Sequence, residues 1–147
     1  MIALLLAAAA TTAQPVCVRM QPVPGFEGWG HSGGSALALG HPATLKLDPA
    51  NKVHFEPALA RRPKTGTYGG YFPLTIAKAG RYRVALSDGA WVDAVSRGKR
   101  LNSAAHGHGP ACSGIAKIVA FDLKPGRTWL QLSEAKAPSI SAMVSSH

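Results

Sequence analysis

From Ala43 onward the chain is a succession of short apolar–polar alternations, each stopped by turn-forming residues. Leu45 and Leu47 alternate with Thr44 and Lys46 before Asp48-Pro49. Tyr82, Val84 and Leu86 alternate with Arg81 and Arg83. A period of two places one face of a strand on a core and the other toward solvent. The same criteria predict strands at Val16–Met20, Ala43–Leu47, Lys52–Phe55, Tyr71–Ile76, Arg81–Leu86, Trp91–Val95, Ile115–Leu123, Thr128–Leu132 and Ile140–Val144. Within Ile115–Leu123, the residues Ile115, Val119, Phe121 and Leu123 are expected on one buried face, which Lys117 interrupts. Ala79-Gly80 and Ser96–Lys99 turn the chain, and Pro125-Gly126 fits the centre of a type II turn. Ser87-Asp88-Gly89 reads as a hairpin. No helical period follows residue 13. Eight or so short strands at this spacing predict an all-β fold, an antiparallel β-sandwich.

The 147 residues suffice for one core, and residues 14–147 are expected to form a single sandwich domain. Met1–Ala13 is an apolar run that ends in Thr-Thr-Ala, the pattern of a cleavable signal peptide, although its start carries no Lys or Arg. No later apolar run is long enough for a transmembrane span. Export to the periplasm or secretion follows as the expected localisation. In such an oxidising compartment the two cysteines, Cys17 and Cys112, are expected to form a disulfide. Residues 57–70 (PALARRPKTGTYGG) read as an irregular, exposed loop open to proteolysis. Phe26 and Trp29 read as anchors of a Gly- and Pro-rich N-terminal loop.

Sixteen Lys and Arg against seven Asp and Glu give a net charge of +9. The basic residues are mostly scattered, with clusters only at Arg61-Arg62-Pro63-Lys64 and Arg97-Gly98-Lys99-Arg100. Neither is interleaved with aromatics as in a single-strand binder, and an exported chain rarely meets nucleic acid. The charge points instead to a solvated basic face, or to an anionic envelope component as partner.

The densest group of potential ligands is His106-Gly107-His108-Gly109-Pro110-Ala111-Cys112. On an extended segment His106 and His108 project to one side, and Cys112 supplies a third donor, a set suited to Zn²⁺ or copper. A disulfided sulfur is no thiolate, so the metal and disulfide readings of Cys112 compete. His31, His41 and His54 are further imidazoles. Ser113, His108 and Asp93 form a weak nucleophilic set without a nucleophile elbow. Trp91 reads first as core filling. Flanked by Asp88 and Asp93 across the expected hairpin, it is also a candidate ligand-binding platform for a sugar ring.

Residues 79–101, 121–133 and 139–144 together resemble the jelly-roll modules appended to sugar-active exported enzymes. The blocks YRVALSDGAWVDAV, HGHGPACSGIAKIVAFDLKPG and LQLS, spread over residues 80–144, with a weaker match at Gly28-Trp29, resemble a group of small exported proteobacterial proteins, sphingomonad-type in particular. That group carries the label homogentisate 1,2-dioxygenase, which implies iron held by two His and a Glu on a cupin barrel. Here His106-x-His108-x3-Cys112 echoes the first cupin motif with Cys in place of Glu. The only downstream His is His147.

Three functions are therefore expectations of the sequence. The first is a non-catalytic exported sandwich that binds a glycan or envelope polyanion. The second is a Zn- or Cu-binding protein using His106, His108 and Cys112. The third, which the label implies, is an Fe-dependent dioxygenase.

Overall fold

The computed structural model describes residues 9–11, 13–14 and 16–146. Most of the expected signal peptide, Met1–Ala13, lies outside them, as does His147.

Among the described residues ten strands form: β1 (Pro42–Lys46), β2 (Asp48–Pro49), β3 (Tyr68–Ile76), β4 (Gly80–Leu86), β5 (Trp91–Ser96), β6 (Lys99–Leu101), β7 (Ala105–His108), β8 (Lys117–Leu123), β9 (Gly126–Ala135) and β10 (Ser139–Ser146). They make two antiparallel sheets, in the orders β1-β10-β4-β8-β7 and β2-β3-β9-β5-β6. There is no α-helix among the described residues. The sheets pack face to face as an all-β sandwich. Only β2–β3, β5–β6 and β7–β8 are consecutive strands in the same sheet. Every other connection crosses between sheets, which is the wiring of a jelly roll.

The alternation seen in the sequence sets the core. Leu45, Val84, Leu86, Val119, Phe121 and Val144 of the first sheet meet Leu74, Ile76, Val92, Ala94, Leu130 and Leu132 of the second. All are 5% exposed or less. Side chains of opposite parity on the first sheet, Ala85 and Met143, are covered by the N-terminal loop through Val23 and Phe26. Arg83 holds that loop, donating to the Pro24 carbonyl at 2.7 Å with its guanidinium 4.8 Å from the Phe26 ring centroid. Phe26 and Trp29 thus serve as the expected anchors.

Four expectations are corrected. Val16–Met20 is not a strand. Its alternating side chains point outward, with Val18 95% exposed, because the segment is pinned by Cys17 rather than paired with a neighbour. Lys52–Phe55 is not a strand either; Ala50–Lys52 is a 3-10 turn followed by irregular chain. Ser87-Asp88-Gly89 is no hairpin, since β4 and β5 lie in opposite sheets. Ile115 leaves the shared face of Val119, Phe121 and Leu123 and joins the outer cluster around Phe26. The true tight hairpin is β5–β6, where Arg97 (φ 51) and Gly98 (φ 74) both take positive φ. That is the requirement of a type I′ turn, and it explains the glycine at position 98.

Residues 56–64 cross the outer face of the second sheet as a strap. Three side chains on that face bind its carbonyls: Tyr71 Oη donates to Glu56 (2.8 Å), Gln131 Nε2 to Pro57 (2.8 Å) and the Arg100 guanidinium to Ala58. Gln131, fully buried beneath the strap, keeps its Oε1 without a partner. The expected irregular loop of residues 57–70 is therefore irregular only up to Thr67 and is tied down along its first part.

Candidate functional site

The sulfurs of Cys17 and Cys112 are bonded to each other, with Cα atoms 5.4 Å apart. This is the expected disulfide, and it settles the competition over Cys112: no thiolate is present there to ligate a metal. His106 and His108 do share a face of β7, opposite Val119 and Lys117 of β8. Their nearest cross-strand polar neighbour is thus the Lys117 ammonium, which repels a cation. Among the described residues no group of three His, Cys, Asp or Glu is placed to hold a metal ion. The donor set fits neither the Zn or Cu site nor the two-His, one-Glu iron site. The glycine at 109 has a structural cause: a Cβ there would lie 2.0 Å from the Ile115 carbonyl oxygen. Ser113 is buried and occupied, donating to the Pro110 carbonyl (2.6 Å) and accepting from the Ile115 amide (3.2 Å).

Trp91 is not core filling. It opens β5 on the outward parity, opposite Ser133 of β9, and is 45% exposed. Its indole Nε1 donates to Asp93 Oδ2 at 3.2 Å, two residues along the same strand and therefore on the same face. Two cations approach the ring: Arg61 Cζ at 4.9 Å and Lys117 Nζ at 5.0 Å from its centroid. Such contacts draw on the negative face of the aromatic quadrupole. Arg100 Nε lies 3.6 Å from the same Asp93 oxygen, within ion-pair range but too long for a hydrogen bond. Asp88 does not join this group. Its carboxylate accepts the Lys136 amide at 3.1 Å and fixes the crossing between β4 and β5.

Two hollows meet at this tryptophan. One, of about 180 Å³, lies between the strap and the sheet and is lined by Leu59, Arg61, Trp91, Asp93, Arg100 and Glu134, among others. The other, of about 240 Å³, opens where β6 and β7 end their sheets. It has an apolar floor of Val92, Leu101, Val119 and Phe121 and a polar rim that includes Asn102, Ser103, His106 and Lys117. Both basic clusters of the sequence thus send an arginine, Arg61 and Arg100, to one place.

Lys117 is the least expected member. It sits on the core-facing parity of β8, at the sandwich mouth, and donates to the Ala90 carbonyl at 3.1 Å. Burial lowers its pKa, with the carboxylates of Asp93 and Glu134 opposing that shift. Its interruption of an apolar face is visible in the sequence. The convergence of Arg61 and Arg100 on Trp91 has no sequence signal, because it depends on the strap crossing the sheet.

Comparison with protein-family models, with curated proteins and with solved structures finds no match. What defines the chain is thus its architecture and its own side chains: a jelly-roll-type sandwich with a basic, tryptophan-centred face.

Proposed function

We propose that this chain is an exported, non-catalytic sandwich that binds an acidic glycan of the cell envelope at the Trp91 face. The observation that carries this reading is the gathering of Arg61, Arg100 and Lys117 around one exposed indole. Asp93 is already engaged by the indole N–H and lies beside Arg100, so it is not free to bind a cation. An exposed indole with two cations drawn over its ring suits a ligand that is both carbohydrate and anion, its acidic group meeting the cations and its sugar ring the rest of the indole surface. The net charge of +9 raises the local concentration of such a polymer before contact. The disulfide is compatible with an oxidising compartment, and periplasmic or secreted localisation belongs to the same proposal. No helix among the described residues is long and apolar enough to cross a membrane.

The test is titration of the purified chain with acidic and neutral polysaccharides at low and high salt. Acidic polymers bind, and binding weakens steeply with salt. Trp91→Ala abolishes most of it while melting as the parent does, because the ring is half exposed. Equal binding by the variant refutes the site.

A further inference from the structure

We propose that the mouth hollow is a seat for a single carboxylate of the glycan, with Lys117 as the residue that selects it. This rests on the acidic-glycan reading above and names the kind of acid: a uronic acid residue rather than a sulfated or phosphorylated sugar.

Lys117 interrupts an apolar row, and its contacts within the fold are one hydrogen bond to the Ala90 carbonyl and the Trp91 ring at 5.0 Å. Val119 and Phe121, next on the same face of β8, are core side chains. Lys117 itself is only partly exposed and has a single protein acceptor, the Ala90 carbonyl. An ammonium carries three N–H donors, so two remain for a ligand. They lie at the rim of a hollow of about 240 Å³ whose floor includes Val119 and Phe121. An apolar floor beside a few convergent polar groups is the usual make-up of a small-ligand site.

The geometry also distinguishes among anions. One half-buried ammonium balances one negative charge. His106 projects from β7 on the same face as Val119 and places its imidazole on the rim. Asn102 and Ser103 on the rim are uncharged donors. A planar, singly charged carboxylate fits this set, with the C–H face of its sugar ring on the apolar floor. Arg100 and Asp93 also line the hollow, but they face each other at 3.6 Å and Arg100 donates to the Ala58 carbonyl, so a phosphate of higher charge finds no second uncompensated cation there, and the bulkier sulfate carries its charge at the end of an ester linkage, away from the ring. The hollow holds one sugar-sized unit, with Trp91 at its edge to receive the next.

The experiment is calorimetric titration of the full chain with three oligosaccharides of equal length: a galacturonate tetramer, its carboxyl-reduced neutral form, and a sulfated neutral tetramer. Lys117→Met is measured beside the parent, and thermal melts accompany both. The parent binds the uronate, and binds the reduced and sulfated forms about tenfold to a hundredfold more weakly, the worth of one charge-assisted hydrogen bond. Lys117→Met loses the same factor toward the uronate while melting no lower than the parent. If the sulfated tetramer binds as well as the uronate, or Lys117→Met keeps full uronate affinity, the carboxylate seat is wrong while the acidic-glycan reading stands. If none of the three binds at low salt, that reading falls and the seat with it.

Discussion

Lys117 stands where the two residues next on its face are buried and apolar, and it holds a charge there against desolvation. Its folded pKa is lowered, so the folded state releases this proton at a lower pH than the unfolded chain does. Between the lowered value and the ordinary lysine value, the unfolded state binds more protons, and this residue's contribution to stability rises with pH. Below both values the cost of holding the charge is fully present. Lys117→Met removes it, so the variant is expected to melt at or above the parent temperature, a stability gain at the expense of binding. Two exposed carboxylates also make stability rise with pH, but because the fold favours their charged form rather than penalising it. Glu27 is held below the usual carboxylate range by the Gly25 amide it accepts, and Asp122 by its hydrogen bond from Arg81 at 2.9 Å. A lowered acid pKa contributes stability above the unfolded value, which is lost as pH falls through the folded one. Melting temperature is therefore expected to drop below about pH 4, and Asp122→Asn is expected to flatten part of that drop in a pH series of thermal melts. At this scale the sequence is an uneven guide. A lysine in an apolar row is visible as a string, whereas the run Trp91–Val95 has apolar residues at both parities, and only the fold gives the core to Val92 and Ala94 and the outer face to Trp91.

At the scale of elements, alternation reveals which side of a strand faces inward but not which sheet the strand joins. Ser87-Asp88-Gly89 has the residues of a hairpin, yet it carries the chain from β4 in one sheet to β5 in the other. Sheet membership is decided by partners far away in sequence, such as β10 for β4 and β9 for β5. The short edge strands β6 and β7 escape detection for another reason. With Lys99, Arg100, His106 and Gly107 in so few residues, they lack an apolar face of their own. The strap of residues 56–64 is equally invisible as an ordered element, since its order comes from Tyr71, Gln131 and Arg100 beneath it. These bonds make a kinetic prediction. Trypsin reaches the Arg61–Arg62 bond only when the strap lifts, and the Arg62–Pro63 bond resists it. Gln131→Ala removes one anchor worth about 1 kcal/mol, so cleavage there is expected to accelerate about fivefold under conditions where opening precedes cutting. Mass analysis of timed digests checks this. An unchanged rate means the strap is held by Arg61 on Trp91 and by Arg100 instead.

For the molecule as a whole, each sheet carries a loop on its outer face, and the two loops are secured by different chemistry. The strap on the second sheet is held by hydrogen bonds. The loop on the first is held by Phe26 in an apolar cluster and, upstream, by the Cys17–Cys112 bond. Among the described residues before Val23, the main chain makes one backbone bond to the rest of the fold, from the Gln21 amide to the Cys112 carbonyl at 2.7 Å. The native state therefore gains few contacts from the disulfide, and its main effect falls on the unfolded chain. The bond spans 95 residues, which include seven of the ten strands, β1 to β7, so the constraint reaches most of the fold. Chain entropy sets a ceiling of about 4–5 kcal/mol for a loop of this size, and measured values usually fall at about 2–4 kcal/mol. The paired replacement Cys17→Ser and Cys112→Ser is expected to remain folded and to lose about that much in urea titrations. Its denaturant slope should rise, because an unfolded chain freed of the cross-link exposes more surface. If stability falls by less than about 1 kcal/mol with an unchanged slope, the bond is a local tether for residues 17–22 only. Hydrogen exchange then shows lost protection at the Gln21 amide while β4, β8 and β10 stay protected. The larger loss is expected because the cross-link closes a loop that contains β1 to β7, and it supports the basic Trp91 face on β5 only by holding the whole fold together.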